Sequence, residues 1–188
     1  MYLATTDDAN RLLEQEPLAL LIGMLLDQQI PMEKAFTSPA VLRERLGGTL
    51  DARIIADYDA DALEAVFREP PALHRFPAAM AKRVQELAAR LVERYDGDAA
   101  AMWNGARDGD ELVARIAALP GFGAQKAKIF TALLGKQYGV RPPGWREAAG
   151  DYGVDGAHRS IADVVDQDSR AAVRQYKQQM KAAAKAKA

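Results

Sequence analysis

The chain has 188 residues, enough for one compact domain or two small lobes, and 49% of them are hydrophobic. It contains no cysteine, which excludes disulfides, thiolate catalysis and any cysteine-ligated zinc or iron–sulfur cluster. Residues 1–106 hold 11 Lys and Arg against 17 Asp and Glu, whereas residues 107–188 hold 14 against 9. The basic half indicates either a face that binds phosphates or a chance excess with a basic tail.

Helices are predicted over most of the first half of the chain. Thr6 has the character of an N-cap, because two aspartates and a Leu12–Leu13 pair follow it. Pro17 begins the next helix, and residues 18–29 are apolar nearly all round, which predicts a buried central helix. Further helices are predicted over residues 40–46 (begun by Ser38 and Pro39 and ended by Gly47 and Gly48), 51–57, 59–68 and 77–95.

The second half continues in the same way. Two helices, over residues 110–119 and 124–136, are joined by Pro120-Gly121-Phe122-Gly123. Residues 139–156 are rich in Gly and Pro and are predicted to form a loop. A short helix over residues 160–165 and a final helix over 169–188, which becomes a low-complexity Lys/Ala segment, complete an all-α chain.

The sequence carries no signal of a membrane or secretory protein. Its longest apolar run, residues 18–26, is too short to span a bilayer, and the first ten residues contain no basic residue. A cytoplasmic location is therefore expected. With only His74 and His158 available, a histidine-rich metal site is not expected, although an oxygen-ligated cation stays open.

The turn between the two later helices is the most informative stretch. Gly121 and Gly123 allow a very tight turn and leave no side chain to block a close approach. The helix that follows presents its free N–H groups and its positive dipole end, which together form a phosphate site. Lys126 and Lys128 add charge, and loop carbonyls are able to hold a monovalent cation. The alternative is an ordinary pair of helices separated by glycines.

The segment Leu119-Pro-Gly-Phe-Gly-Ala-Gln-Lys-Ala127 resembles the hairpin of the helix-hairpin-helix GPD superfamily of DNA glycosylases, which includes endonuclease III and 3-methyladenine DNA glycosylase II. Residues 20–29 resemble the family's early buried helix, whose final glutamine reaches the DNA, and residues 76–90 resemble its long helix before the hairpin. The resemblance runs from about Leu13 to Lys136 and is weak beyond that point.

This resemblance implies a two-lobed helical fold and a role in base excision repair. One lobe would hold residues 28–136, with the hairpin at 112–136, and the other residues 1–27 and 137–188. The implied activity is hydrolysis of the N-glycosidic bond of a damaged or mispaired base that is flipped out of duplex DNA. The expected protein is a monomer that needs no metal for this chemistry and contains no iron–sulfur cluster.

The resemblance also implies the residues that contact DNA, namely Gly121, Phe122, Gly123, Gln125, Lys126, Lys128 and Gln29. Gln125 occupies the position at which bifunctional members carry a nucleophilic lysine. An amide cannot form a Schiff base, so a monofunctional enzyme is expected. Gln28 and Gln29 either fill the gap left by a flipped base or satisfy carbonyls at a helix end, and the resemblance favours the first role for Gln29.

The family's chemistry needs an aspartate beside the sugar, which stabilises the developing positive charge. The family spacing falls near residues 142–145, where no carboxylate exists. Asp155 is the chosen candidate, with Asp151 second and Asp163 third, although Asp155 also suits a simple turn with Gly156. A rival interpretation is a non-catalytic DNA-binding protein that has lost the carboxylate. A weaker one is a helical interaction module with no DNA role.

Three further features carry predictions of their own. Trp103 is expected in the core, whereas Trp145, in the predicted loop, is expected to stack on a base. His74 is expected to be a surface residue. The lysine-rich end, residues 177–187, is interpreted as a solvated tail that is also able to add salt-dependent affinity for DNA.

Overall fold

The computed structural model describes residues 1–186, and within that range it contains eleven α-helices and no strand. The all-α class predicted from the sequence is confirmed. The helices are α1 (Asp7–Gln15), α2 (Pro17–Leu26), α3 (Met32–Arg45), α4 (Ala52–Ala56), α5 (Ala60–Arg68), α6 (Pro77–Tyr95), α7 (Ala99–Asn104), α8 (Gly109–Ala117), α9 (Ala124–Gln137), α10 (Trp145–Ala149) and α11 (Gln167–Ala186). Two short 3₁₀ helices cover Gly150–Gly153 and Ile161–Asp163.

Side-chain caps explain why several helices begin where the sequence predicts. The Thr6 hydroxyl accepts a hydrogen bond from the Ala9 N–H at 3.2 Å. Asp51 and Asp59 cap α4 and α5 in the same way, each with a carboxylate oxygen that accepts main-chain N–H groups of the first turn. These bonds satisfy donors that a helix leaves without partners at its start.

The helices form two compact units. The N-terminal unit comprises residues 3–105 and, in addition, residues 118–122. Its centre is α2, which is buried at every position after Pro17. α1, α3 and α7 pack against α2, and α4 and α5 pack against α6. α2 and α3 approach closely at Gly23, where a Cβ atom would lie 2.7 Å from Cδ1 of Phe36.

The C-terminal unit comprises residues 1–2, 106–117 and the chain from Gly123 onward. α9 lies at its centre and packs against α8, α10 and both 3₁₀ helices. The start of α8 is held by Gly109, whose N–H donates to the Pro143 carbonyl at 2.8 Å. The two hairpin helices therefore group with the C-terminal part of the chain, a different division from the predicted lobes 28–136 and 1–27 with 137–188.

The structure differs from the sequence predictions in several elements. α3 is one continuous helix with Pro39 inside it, because burial of Phe36 and Leu42 stabilises the helix on both sides of the proline. α2 ends at Leu26, three residues before the predicted end. The predicted loop 139–156 contains α10 and a 3₁₀ helix, and α7 was not predicted.

Two further features are the length of the helices relative to a membrane span and the structure of the predicted C-terminal tail. No helix in the described part of the chain is long and apolar enough to cross a membrane. Of the lysine-rich end, residues 187–188 lie outside the described residues, whereas residues 167–186 form α11.

Candidate nucleic-acid interface

The turn between α8 and α9 contains a glycine in a backbone conformation that other residues rarely adopt. Gly121 has φ of +80°, and a Cβ atom there would lie 2.3 Å from Cδ1 of Leu25 on α2. The side chain of Phe122 is buried, and its N–H donates to the Leu119 carbonyl at 3.1 Å. The buried ring of Phe122 anchors the turn in the N-terminal unit, so the DNA contact predicted for Phe122 would use its main chain.

The start of α9 is uncovered. Gly123 is its N-cap, with φ of −94° and no side-chain hydrogen bond to the cap. A Cβ atom at Gly123 would meet no atom within 4 Å, and Gly123, Ala124 and Gln125 are all exposed. The first turn holds no acidic residue. The N–H groups of a helix start and the dipole of a 14-residue helix therefore face open space, an arrangement that suits an anion.

Two lysines follow this helix start, and they are placed differently. Lys128 is exposed and lies one helical turn after Ala124, on the same face of α9. Lys126 is half-buried. The Gln125 amide donates to the Tyr152 hydroxyl at 2.8 Å, so Gln125 is tied to the 3₁₀ helix Gly150–Gly153.

The two glutamines after α2 differ in exposure: the Gln28 side chain is bonded within the protein, whereas Gln29 is exposed. The Gln28 side chain donates to the Leu25 carbonyl at 2.7 Å and accepts from Arg83 at 2.9 Å. Gln28 thus has the structural role that the sequence left open for it. Gln29 is exposed and has a left-handed backbone, with φ of 58°. Its side chain is therefore available to a ligand.

His74 fixes the segment that carries these glutamines. Its Nε2 lies 2.9 Å from the Gln28 carbonyl, and its Nδ1 accepts the Phe76 N–H at 3.0 Å. Because Nδ1 is an acceptor, the ring is neutral and Nε2 carries the proton. The prediction of a surface histidine is wrong: His74 is 1% exposed. The surface position was predicted from the nearby Pro71, and the sequence does not indicate the partners that His74 finds at a distance along the chain.

Phe76 is an exposed aromatic residue that sequence reasoning missed. It is 41% exposed, and the Arg75 guanidinium lies 5.3 Å from the centre of its ring. An aromatic residue before a helix-starting proline is also typical of a hydrophobic contact at a helix start, and exposure cannot be read from the sequence. The ring offers a flat apolar surface next to a cation, as a stacked base requires.

The turn of the hairpin (residues 118–122), the end of α2 and α6 all belong to the N-terminal unit. Leu25 contacts the turn at Gly121, and the Arg83 side chain comes within 3.9 Å of the position that a Cβ of Gly121 would take. Arg83 in turn binds Gln28, whose neighbour is Gln29. The hairpin turn, the long helix α6 and the end of α2 therefore form one surface, which we call the turn surface (Gln28, Gln29, Arg75, Phe76, Arg83 and Gly121).

Each of the three candidate carboxylates in the C-terminal unit pairs with a cation. Asp155, 70% exposed, accepts from Arg146 at 2.9 and 3.2 Å, and Asp151, 81% exposed, pairs with Arg159 at 2.6 Å. Asp163 is buried, pairs with Lys136 at 2.6 Å and completes the cap of the 3₁₀ helix at Ser160. Asp163 therefore has a structural role.

The two exposed carboxylates lie at different levels along α9. Asp155 follows Val154, whose carbonyl accepts from Lys136 at 2.6 Å in the last turn of α9. Asp151 precedes Tyr152, which binds Gln125 in the first turn. Gln125 and Lys136 are eleven positions apart, which corresponds to about 16 Å along the helix at 1.5 Å per residue. Asp151, and not Asp155, is therefore the nearer of the two to the helix start.

A cleft of about 560 Å³ opens beside the last turn of α9. Its charged walls contain the cations Lys136, Arg141 and Arg146 and the carboxylates Asp155, Asp163, Asp166 and Asp168. Asp155 thus faces a cavity of a size that suits a small ligand. Among the described residues, no group of three or more His, Asp and Glu side chains is placed to hold a metal ion.

The two tryptophans are both buried. Trp103 is 2% exposed and lies in the core, as predicted. Trp145, predicted to stack on a base, is 6% exposed and packs on Gly135, with the Arg146 guanidinium 4.4 Å from its ring centre. That prediction was wrong because Trp145 begins α10 and fills a space that α9 leaves open.

No protein-family model matches the chain, and no curated protein is similar enough to it to count as a relative.

Proposed function

We propose that this protein binds duplex DNA through its hairpin and acts in base excision repair as a monofunctional DNA glycosylase. The observation that carries the proposal is the uncovered start of α9, where the Cβ position of Gly123 is open to at least 4 Å. A phosphate can approach the main-chain N–H groups there without displacing a side chain. This contact does not depend on base sequence.

The turn surface supplies the second part of the proposal. Gln29 and Phe76 are exposed, and the buried His74 bonds the carbonyl of Gln28, which precedes Gln29, and the N–H of Phe76. A base that leaves the duplex creates a gap in the stack, and exposed amide and aromatic side chains are suited to fill it. Backbone carbonyls of the turn also have the donor chemistry that a monovalent cation requires.

The proposed chemistry is hydrolysis. Water attacks the anomeric carbon, the bond from that carbon to the base nitrogen breaks, and the base leaves with a proton. An ionised aspartate stabilises the positive charge that develops on the sugar, and it accepts a proton from the attacking water. Asp155 is proposed for this role, with Asp151 as the alternative. Because Gln125 cannot form a Schiff base, the product is an intact strand with an abasic site.

A second candidate is a DNA-binding protein without catalytic activity. The pairing of all three candidate carboxylates with arginine or lysine favours it, because a paired carboxylate has less freedom to act on a substrate. In this case the hairpin contact stays the same and no base is released from any lesion. A panel of duplexes with different lesions distinguishes the two candidates.

The main experiment uses Gly123→Ala. The new methyl group enters the space that a phosphate needs, so affinity for a 20-base-pair duplex is expected to fall about 10- to 100-fold, as for the loss of a hydrogen bond to a charged group. Fluorescence anisotropy measures the affinity, and urea unfolding shows whether the variant is intact. Unchanged affinity in a folded variant would remove the hairpin as the contact.

Lys128→Gln tests the adjacent charge, with Lys34→Gln as its matched control. Both lysines are exposed, and Lys34 lies on α3. Loss of one phosphate contact is expected to reduce the slope of log affinity against log salt by about 0.9. The control is expected to keep the slope of the unchanged protein. Equal slopes for the two variants would show that only net charge matters.

A further inference from the structure

The helix α11 separates its charges along its length. Asp166 directly precedes the helix and Asp168 lies in its first turn, and no Asp or Glu occurs from Ser169 to the end of the sequence. Arg170, Arg174, Lys177 and Lys181 follow at intervals of four, three and four residues, and Lys185 continues the spacing in the sequence. At 100° per residue these positions share one face, so they form a basic stripe.

The start of α11 is anchored to the C-terminal unit. The Ser169 hydroxyl accepts the N–H groups of Val165 and Asp166 at 3.0 Å, and the Ser169 N–H donates to Asp166 at 2.8 Å. The hydrogen bonds that the Ser169 N–H and hydroxyl donate to the Asp166 carboxylate lower the pKa of Asp166. Arg170 donates to the Tyr2 carbonyl at 2.8 Å and stacks on the Tyr2 ring. The helix therefore leaves the unit in a fixed direction.

The later turns of α11 have no packing role in the described residues. Val173 is the last buried position, Tyr176 is half-buried, and residues 177–184 are all exposed. Lys177 and Lys181 have no carboxylate three or four residues away on either side, so neither can form an ion pair within the helix. Like charges one turn apart repel each other weakly, and a bound anion would relieve that repulsion.

We infer that the basic stripe of α11 binds the phosphate backbone of duplex DNA, an inference that rests on the proposed function and extends it to a second contact. A row of cations about one helical turn apart is complementary to a linear polyanion. A membrane surface fits less well, because an interfacial helix inserts bulky apolar residues. Residues 174–188 contain no Leu, Ile, Val, Phe or Trp, and Met180 and Tyr176 are the only large apolar side chains.

The test compares three forms of the full chain by anisotropy on one duplex between 0.05 and about 0.3 M salt. Lys177→Gln with Lys181→Gln removes two contacts, so the salt slope is expected to fall by about 1.8 and the affinity at 0.1 M salt by roughly tenfold or more. The control adds Gln175→Lys and Gln179→Lys to that pair. It restores the net charge but moves the cations off the stripe.

The control is expected to bind as weakly as the double variant. If the control binds as tightly as the unchanged protein, net charge alone acts and the stripe is overturned. An unchanged salt slope in the double variant also overturns the role of the stripe. The hairpin proposal is independent of that result and still holds if Gly123→Ala loses binding. If the unchanged protein binds anionic phosphatidylserine vesicles more tightly than duplex DNA, the inferred partner is wrong. Circular dichroism shows that α11 is retained in all three forms.

Discussion

Trp145 and Gly135 are matched in space: a Cβ atom on Gly135 would lie 2.3 Å from Cε3 of the Trp145 ring. The glycine on α9 thus creates the space in which α10 docks. Gly135→Ala is expected to destabilise the protein by about 1–3 kcal/mol, because the indole must move in a closely packed core. Urea unfolding measures the change. Gly123→Ala serves as the control and is expected to change stability little. Alanine is a poorer N-cap than glycine, which destabilises the helix, but it also lowers the conformational entropy of the unfolded chain, which stabilises the fold.

The carboxylate variants separate catalysis from stability. Asp155→Asn is expected to reduce base release by about 10²- to 10⁴-fold and to leave DNA affinity equal or higher, because the amide removes a negative charge but keeps its size. Release is measured on the lesion that the unchanged protein processes best. If Asp151→Asn is inactive and Asp155→Asn is active, then Asp151 is the catalytic carboxylate.

Asp163→Asn is expected to act on the fold. It leaves Lys136 charged and buried without its carboxylate, which costs about 3 kcal/mol of unfolding free energy. The exposed pairs of Asp151 and Asp155 are expected to change stability by less than about 1 kcal/mol. A stable, inactive Asp163→Asn variant would contradict the structural role given to this residue.

The product of the proposed reaction depends on Gln125. Strands are expected to stay intact until heat or alkali cleaves them at the abasic site, because an amide forms no imine with the sugar. Denaturing gels with and without alkali show the difference. A covalent DNA adduct trapped by borohydride would point to Lys126 or Lys128 as a nucleophile.

Glu111 gives α8 a dependence on pH. Hydrogen bonds from Arg107, and then from Arg115, lower its pKa from 4.5 to about 2. A lowered pKa in the folded state means that the stabilisation is complete above the ordinary carboxyl pKa and is lost as pH falls from there towards 2. Glu111→Gln is therefore expected to be less stable than the unchanged protein at pH 7, with the difference shrinking below pH about 4.5. Urea midpoints at pH 7, 4 and 3 test the trend, and a constant difference would contradict it.

Phe76 offers a test of the turn surface. Its exposed ring contributes little to the core, so Phe76→Ala is expected to keep the fold and to weaken binding of duplex DNA that contains an abasic site. Stacking of one base on an aromatic ring is worth about 1–3 kcal/mol. Ile54→Ala is the matched control, because Ile54 is also a large exposed apolar residue, at 49%. Equal effects of the two changes would exclude a specific role for Phe76.

Local signals made much of the helical pattern predictable. Thr6, Asp51 and Pro77 act within one helical turn, and the structure confirms the helix starts that they indicate. The errors concern residues whose placement depends on distant partners. The sequence around His74 predicts an exposed residue, but the Gln28 carbonyl binds its ring in the folded protein. The sequence around Trp145 predicts a ring in a loop, but the ring packs against Gly135. Contacts between residues that are far apart in the sequence cannot be predicted from the spacing of residues within one helix.

The candidate site was predictable to a similar extent. Gly121 has the left-handed backbone that the glycine-rich turn indicated, whereas Gly123 has an extended backbone that any residue can adopt. The carboxylate depends on the course of residues 139–163, where α10 and two 3₁₀ helices replace the predicted loop. Those elements bring Asp151 towards the first turn of α9 and Asp155 towards the last, which a count of residues could not distinguish.

The bonds of Gln28 have a consequence for the speed of recognition. Its main-chain N–H and carbonyl, its side-chain oxygen and its side-chain nitrogen all have partners within the N-terminal unit. The left-handed backbone of Gln29, which costs of order 1 kcal/mol, is therefore already in place before any ligand arrives. A preorganised contact loses little conformational entropy on binding, so encounter by diffusion, accelerated at low salt, is expected to limit association.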